Sequence, residues 1–207
     1  AKIIYTGTRG QYGTVKHLPV SEDSLMNPKS IYELSKLHAE HLCRIYYKLH
    51  NLKSICFRVT NLYGERSQMI HNRFGVANWF LRKSMDGKTI KIFGSGKIKR
   101  DFLYIDDAVN ALLISPLVQT NFGESFNLGN SNISCFLDLA KNIIRIVGKG
   151  KIEFVNFTNE RSKQEPGHFY PNITKLSKAI GWKPVYTLKE GITKTYKFYK
   201  LNSKHYW

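Results

Sequence analysis

The chain has 207 residues, 42% hydrophobic and 13% aromatic, enough to bury a core, and its cysteines, Cys43, Cys56 and Cys135, show neither CxxC pairing nor metal-ligand spacing, which excludes a disulfide scaffold and offers no metal site. Lys plus Arg number 32 against 15 Asp plus Glu, a formal charge of +17; such a balance favours anionic partners, though an A+T-rich coding sequence also raises Lys without functional meaning. No apolar run approaches the ~20 residues of a membrane helix and no signal-peptide pattern opens the chain, so a cytoplasmic protein without a membrane partner is expected.

Lys2 to Thr6 is a short apolar run of the kind that makes a buried parallel strand, and a Gly-rich turn follows. Ser30 to His50 has helical spacing, with Asn27-Pro28 as a start signal, and Leu52 to Thr60 is a second buried strand. Strand, helix and strand in that order make a crossover unit of a parallel sheet. The pattern then predicts a helix around Gly75 to Met85, strands at Ile90 to Phe93 and Asp101 to Tyr104, and a helix opening at Asp106. A strand at Ser125 to Leu128, a helix at Phe136 to Val147, a strand near Ile152 to Val155, and helices at Ile173 to Ile180 and Leu188 to Lys200 complete the chain.

Two motifs carry chemistry. Thr6-Gly7-Thr8-Arg9-Gly10-Gln11-Tyr12-Gly13 matches the T-G-x-x-G-x-x-G phosphate-binding fingerprint in letters only. A genuine fingerprint opens a helix whose N-terminus faces the pyrophosphate, and Pro19 stops any such helix here. Tyr32-x-x-x-Lys36 sets a phenol and an ammonium one helical turn apart. That pairing suits acid/base work, because a tyrosine near its ordinary pKa of ~10 is a poor base and a neighbouring ammonium favours the phenolate. Asp106-Asp107 is read as an N-cap with a first-turn acid, and His38 and His41, which no third ligand joins, as helix-surface residues.

These segments fall in an order that resembles the extended short-chain dehydrogenase/reductases, in their NAD-dependent nucleotide-sugar epimerase/dehydratase branch. Lys2 to Gly13 resembles the strand that ends in a catalytic Ser/Thr and a V-Y-G-like turn, and Pro28 to Lys36 the P-x-x-x-Y-x-x-S-K segment. Phe57 to Gly64 resembles R-x-x-N-x-Y-G, and Ile92 to Gly96 with Arg100 to Asp107 resembles G-x-G with R-D-F-x-x-V-x-D. Phe126-Asn127-Leu128-Gly129 and Gly181-Trp182-Lys183-Pro184 match later landmarks.

The resemblance implies an α/β fold: the C-terminal part of a Rossmann-type parallel sheet in residues 1–62, then a smaller substrate-binding domain in 63–207, with segments around 101–107 and 125–130 returning to the first. It implies Thr8, Tyr32 and Lys36 as catalytic residues. Thr6, Thr8, Tyr32, Lys36 and Thr60 would bind NAD, while Asn61, Gly75, Val76, Arg100 and Arg161 would hold the nucleotide diphosphate of the substrate. The internal alternative for Arg100 is an ion pair with Asp101 or Asp106. Through the same resemblance a homodimer through the helix carrying Tyr32 is expected, with Leu37, Ile45 and Tyr47 outward; no nucleic-acid partner is. The family's Gly-rich loop and ribose-binding acid would precede Ala1, so the chain by itself is expected to bind NAD poorly and to leave Ile3, Ile4 and Ile55 uncovered. Arg9 and Gly10 stand where family dehydratases carry Asp-Glu, which favours epimerisation or simple oxidoreduction over elimination. The competing readings are a reductase or dehydrogenase of the family, or a catalytically silent nucleotide-binding fragment.

Overall fold

A computed structural model describes residues 1–71, 75–159, 162 and 165–207. Strand β1 (Lys2–Thr8) leads through a 3₁₀ turn at Arg9–Tyr12 and a long loop into helix α1 (Ile31–His50), then β2 (Lys53–Val59) and β3 (Asn61–Tyr63). Helix α2 (Val76–Met85), β4 (Thr89–Phe93), β5 (Lys99–Tyr104) and α3 (Ile105–Ile114) follow. The remainder comprises β6 (Ser125–Leu128), β7 (Ile133–Cys135), α4 (Phe136–Val147), β8 (Lys151–Val155), α5 (Thr174–Ile180) and α6 (Leu188–Asn202).

The first sheet is parallel, with order β1-β2-β6. Its middle strand is buried from Ser54 through Arg58, the continuous burial of a strand covered on both faces. Ile55 is therefore fully enclosed, contrary to the expectation of an open surface there, whereas Ile3 on the edge strand is 37% exposed. A second sheet, β3-β5-β7, pairs β5 parallel to β3 and antiparallel to β7. The three-residue strands β3 and β7 are too short for alternation to announce them. Strands β4 and β8 form a separate parallel pair.

Strand β5 divides the interior. Leu103 packs with Ile55, Phe57, Phe126 and Trp182, while Phe102 and Tyr104 join Phe80, Ile92, Ile143 and Tyr199. Opposite pointing of successive side chains thus lets one strand serve two cores.

Helix α1 is capped by Ser30, whose hydroxyl accepts from the Glu33 amide at 3.2 Å, two residues after the Asn27-Pro28 signal. It ends on Asn51 in the left-handed region, φ 51°. Tyr47 turns inward against the first core, correcting its outward placement. Ile31, Leu34, Ile45 and Leu49 remain exposed. Asp106 and Asp107 lie in the first turn of α3, whose N-cap position is Tyr104 with no side-chain cap bond. Asp107 instead accepts from the Val185 and Tyr186 amides at 2.9 and 3.2 Å, and Asp106 pairs with Lys194. Both acids tie elements together, so the N-cap reading is replaced.

Candidate active site

The cleft at the C-terminal ends of β1 and β2 is about 290 Å³ and is lined by Thr6, Gly7, Thr8, Tyr32, Lys36, Val59 and Thr60 on one side, with Leu62, Ile105, Ala108, Leu112 and Leu128 among its apolar walls. Each residue that the resemblance assigns to catalysis or NAD lines this one space. At its floor the chain leaves β1 for a 3₁₀ turn, and α1 begins only at Ile31, so the fingerprint-like glycines open no helix.

Lys36 is fixed from two directions. Its ammonium donates to the Thr6 carbonyl at 2.9 Å, and its own carbonyl accepts from the Tyr5 hydroxyl at 3.0 Å. The ammonium stands 6.0 Å from the Tyr32 ring centroid. Tyr32 is 58% exposed. The Thr8 hydroxyl accepts from the Gly10 amide at 3.2 Å, which leaves its own hydrogen free to donate outward. Thr60 donates its hydroxyl to Asp101, so it offers the cleft its apolar part.

Behind this sparse front lies a dense buried network that sequence reading missed. The Thr8 amide donates to Gln11 Oε1 at 2.9 Å, and Gln11 Nε2 donates to Glu40 Oε2 at 2.8 Å. Arg58 closes on Glu40 at 2.6 Å, Ser125 donates to the same carboxylate at 2.8 Å, and Arg58 also reaches the Tyr12 hydroxyl at 2.7 Å. Burial pushes the Glu40 carboxyl up, but Arg58, Gln11 and Ser125 together outweigh it and hold it below the ordinary carboxylate range. The turn bearing Thr8 is thereby anchored to the helix bearing Tyr32 and Lys36. Gly7 takes part sterically, since a Cβ there would lie 2.5 Å from Gln11 Oε1.

A larger cavity of about 570 Å³ opens beside α2 and β4, with Trp79, Phe80, Phe93, Phe136 and Phe157 in its walls, and Val76, Lys83, Lys91 and Glu165 also lining it. Gly75 is the N-cap of α2 at φ 69°, and as a glycine it brings no capping side chain of its own. Asn61 Nδ2 donates to the Asp101 carbonyl at 2.9 Å. Arg100 is 1% exposed and held internally: its guanidinium donates to the Lys99 carbonyl at 2.9 Å and to the Gly167 carbonyl, and pairs with Glu165. Its internal partner is Glu165, neither Asp101 nor Asp106. Arg161 lies outside the described residues. Burial lifts the Asp101 carboxyl to about 6 against the opposing pull of Thr60 and the Asn130 amide. Among the described residues no group of three or more His, Cys, Asp or Glu side chains could hold a metal ion, and no helix is long and apolar enough to cross a membrane.

Residues 1–129 match the family described as NAD dependent epimerase/dehydratase. The chain belongs to that family. It is 29% identical over 211 residues to UDP-glucuronic acid decarboxylase 1 of Xenopus tropicalis, covering 99% of this chain and 48% of the relative. It is 32% identical over 209 residues to a putative UDP-glucose 4-epimerase of Methanocaldococcus jannaschii, covering 98% and 64%. UDP-glucuronic acid 4-epimerase of Bacillus cereus, in complex with UDP-glucuronic acid and NAD, superposes with a TM-score of 0.85 at 28% identity, over 97% of this chain and 62% of that one. The chain therefore spans about half to two thirds of the length of the relatives it matches. Membership carries a Rossmann-type α/β fold, which the parallel β1-β2-β6 sheet displays.

Proposed function

We propose that this chain supplies the acid/base and substrate-binding portion of an NAD-dependent nucleotide-sugar epimerase. The observation that carries the reading is the convergence of Thr8, Tyr32 and Lys36 on one cleft, backed by a buried anchor. Residues 1–62 and the returning strand β6 form its cofactor half, and most of 63–207 its substrate half. The cleft fits NAD: the Lys36 ammonium uses a single donor on Thr6 and keeps others for a ribose, while Val59, Leu62, Ala108 and Leu128 suit a flat ring. NAD held there by Lys36 and the apolar wall would supply reversible hydride transfer at the sugar carbon. The Tyr32 oxygen takes the sugar hydroxyl proton as the carbonyl forms and gives it back on the other stroke. Thr8 donates a hydrogen bond to that same oxygen and fixes its direction.

The nucleotide base fits the aromatic walls of the larger cavity, within the ordinary range of about 300 to 1,000 Å³ for ligand pockets. The start of α2 at Gly75 and Val76, where the N-cap glycine has no side chain to cap it, suits the diphosphate, as helix N-termini do, with Asn61 alongside. No strand-to-helix glycine loop occurs among the described residues, so the 207 residues alone should bind NAD weakly and turn over slowly. The exposed Ile31, Leu34, Ile45 and Leu49 of α1 are the proposed homodimer face.

One observation favours elimination as a second reading. A Cβ on Gly10 would lie 2.6 Å from Glu33 Oε1, so a carboxylate from α1 fills the place beside the turn where family dehydratases carry their own Glu. That carboxylate also accepts from the Lys29 amide at 2.7 Å, an ordinary role at a helix start. Proton NMR of the product from UDP-glucose and UDP-glucuronate decides between them. An inverted hydroxyl with all carbons and oxygens retained is expected; loss of water or carbon dioxide contradicts epimerisation.

A further inference from the structure

Two arginines meet where β1 ends and β5 begins, and only one of them is engaged. Arg100 spends both Nη1 hydrogens on the Lys99 and Gly167 carbonyls and pairs through Nη2 with Glu165. Arg9, among the described residues, makes neither a hydrogen bond nor an ion pair. Its guanidinium lies 5.0 Å over the centre of the buried Phe169 ring, a contact that uses the face of the fork and leaves its edge unoccupied.

The charged groups acting on Arg9 are Arg100, Asp101, Glu165 and Glu33, and each carboxylate has a partner elsewhere. Asp101 takes Thr60 and the Asn130 amide on Oδ2, Glu165 takes Arg100, and Glu33 takes the Lys29 amide. Asp101 Oδ1 has no hydrogen-bond partner among the described residues, yet Arg9 does not bond to it. Burial, then Arg100, pull the Arg9 pKa down to about 10, so it is still a cation at neutral pH, in surroundings that disfavour its charge. Arg9 lines neither cavity itself but stands beside residues of both. Its neighbour Thr8 lines the cleft, and Glu165, whose charge acts on it, lines the larger cavity.

We propose that Arg9, and not Arg100, is the guanidinium that grips an anionic group of the substrate as it passes from one cavity to the other. This deepens, and rests on, the nucleotide-sugar reading. The planar fork suits a group with two oxygens side by side, which the diphosphate offers in every nucleotide-sugar and a sugar carboxylate offers in a uronic acid.

Calorimetric titration of the 207-residue chain with UDP, UDP-glucose and UDP-glucuronate separates the two sources. If Arg9 holds the diphosphate, Arg9→Met weakens all three about tenfold or more and Arg9→Lys recovers part of the loss. If it holds a sugar carboxylate, the parent chain binds UDP-glucuronate at least tenfold more tightly than UDP-glucose, and Arg9→Met abolishes that difference alone. Unchanged affinity for all three in a folded Arg9→Met chain overturns the proposal, and a lowered melting temperature alongside it would assign Arg9 as a counter-charge for Asp101. A parent chain that binds none of the three overturns the nucleotide-sugar reading and this inference with it, whereas a parent that binds while Arg9→Met binds equally well leaves the reading standing.

Discussion

The two sides of the turn at residues 6–13 are built by opposite rules. Its back is dry and saturated: Gln11, Tyr12, Glu40 and Arg58 are all 2% exposed or less, and they bond one another at 2.6 to 2.8 Å. Its front holds Thr8 with a free hydrogen, the Lys36 ammonium with a single hydrogen-bond acceptor among the described residues, and a Tyr32 open to solvent. A reacting sugar needs donors and acceptors that are unfilled yet held in place, and only a rigid rear supplies both conditions at once.

Breaking the back should have the largest effect on stability. Glu40→Leu leaves the Arg58 guanidinium buried without its counter-ion, a loss of about 3 to 5 kcal/mol expected for one partner of a buried pair. Urea unfolding should show that loss, and adding Arg58→Met should recover a good part of it; additive losses in the double variant would mean the pair is not coupled.

A subtler break comes from Gly7→Ser. Its Cβ would meet Gln11 Oε1 at 2.5 Å and the Phe57 carbonyl at 3.2 Å, and overpacking of this kind costs about 1 to 3 kcal/mol. Gln11→Val in the same chain should relieve most of it. A Gly7→Ser chain with the parent's unfolding midpoint would contradict the idea that the bare backbone of Gly7 makes room for Gln11.

Asp101, between the two halves, sharpens the contrast through pH. Its folded pKa of about 6 lies above the ordinary value, so the folded state holds the proton longer than the unfolded chain does. Its contribution to stability is therefore greatest below about pH 4 and falls as pH rises to about 6, by up to about 3 kcal/mol. Asp101→Asn should accordingly gain stability relative to the parent at pH 7.5 but not at pH 4; an equal difference at both would place the carboxyl's titration elsewhere.

The regular elements were legible because their side chains repeat with the period of the structure they form. Helix α4 and strand β6 run over the very residues that periodicity marks, and the Tyr32 to Lys36 spacing survives because it is a property of one helix. The back of the site was not legible. Gln11 and Glu40 are 29 residues apart and Glu40 and Arg58 are 18 apart, distances at which no local pattern operates. The same holds for Arg100, whose partner Glu165 lies 65 residues on, so the sequence shows a basic side chain at the right place and hides that it is already filled. The apolar stripe of α1 was visible as helical, but which part of it faces the sheet depended on Glu40 taking the inner position.

The most direct test of the acid/base assignment is turnover of Tyr32→Phe with NAD and a nucleotide-sugar, measured in the full-length protein beside its affinity for the same nucleotide-sugar. Tyr32 lines the cleft and its hydroxyl bonds to none of the described residues, so turnover should fall at least about a hundredfold while affinity stays within a fewfold. Turnover near that of the parent would remove Tyr32 from the chemistry and contradict the account.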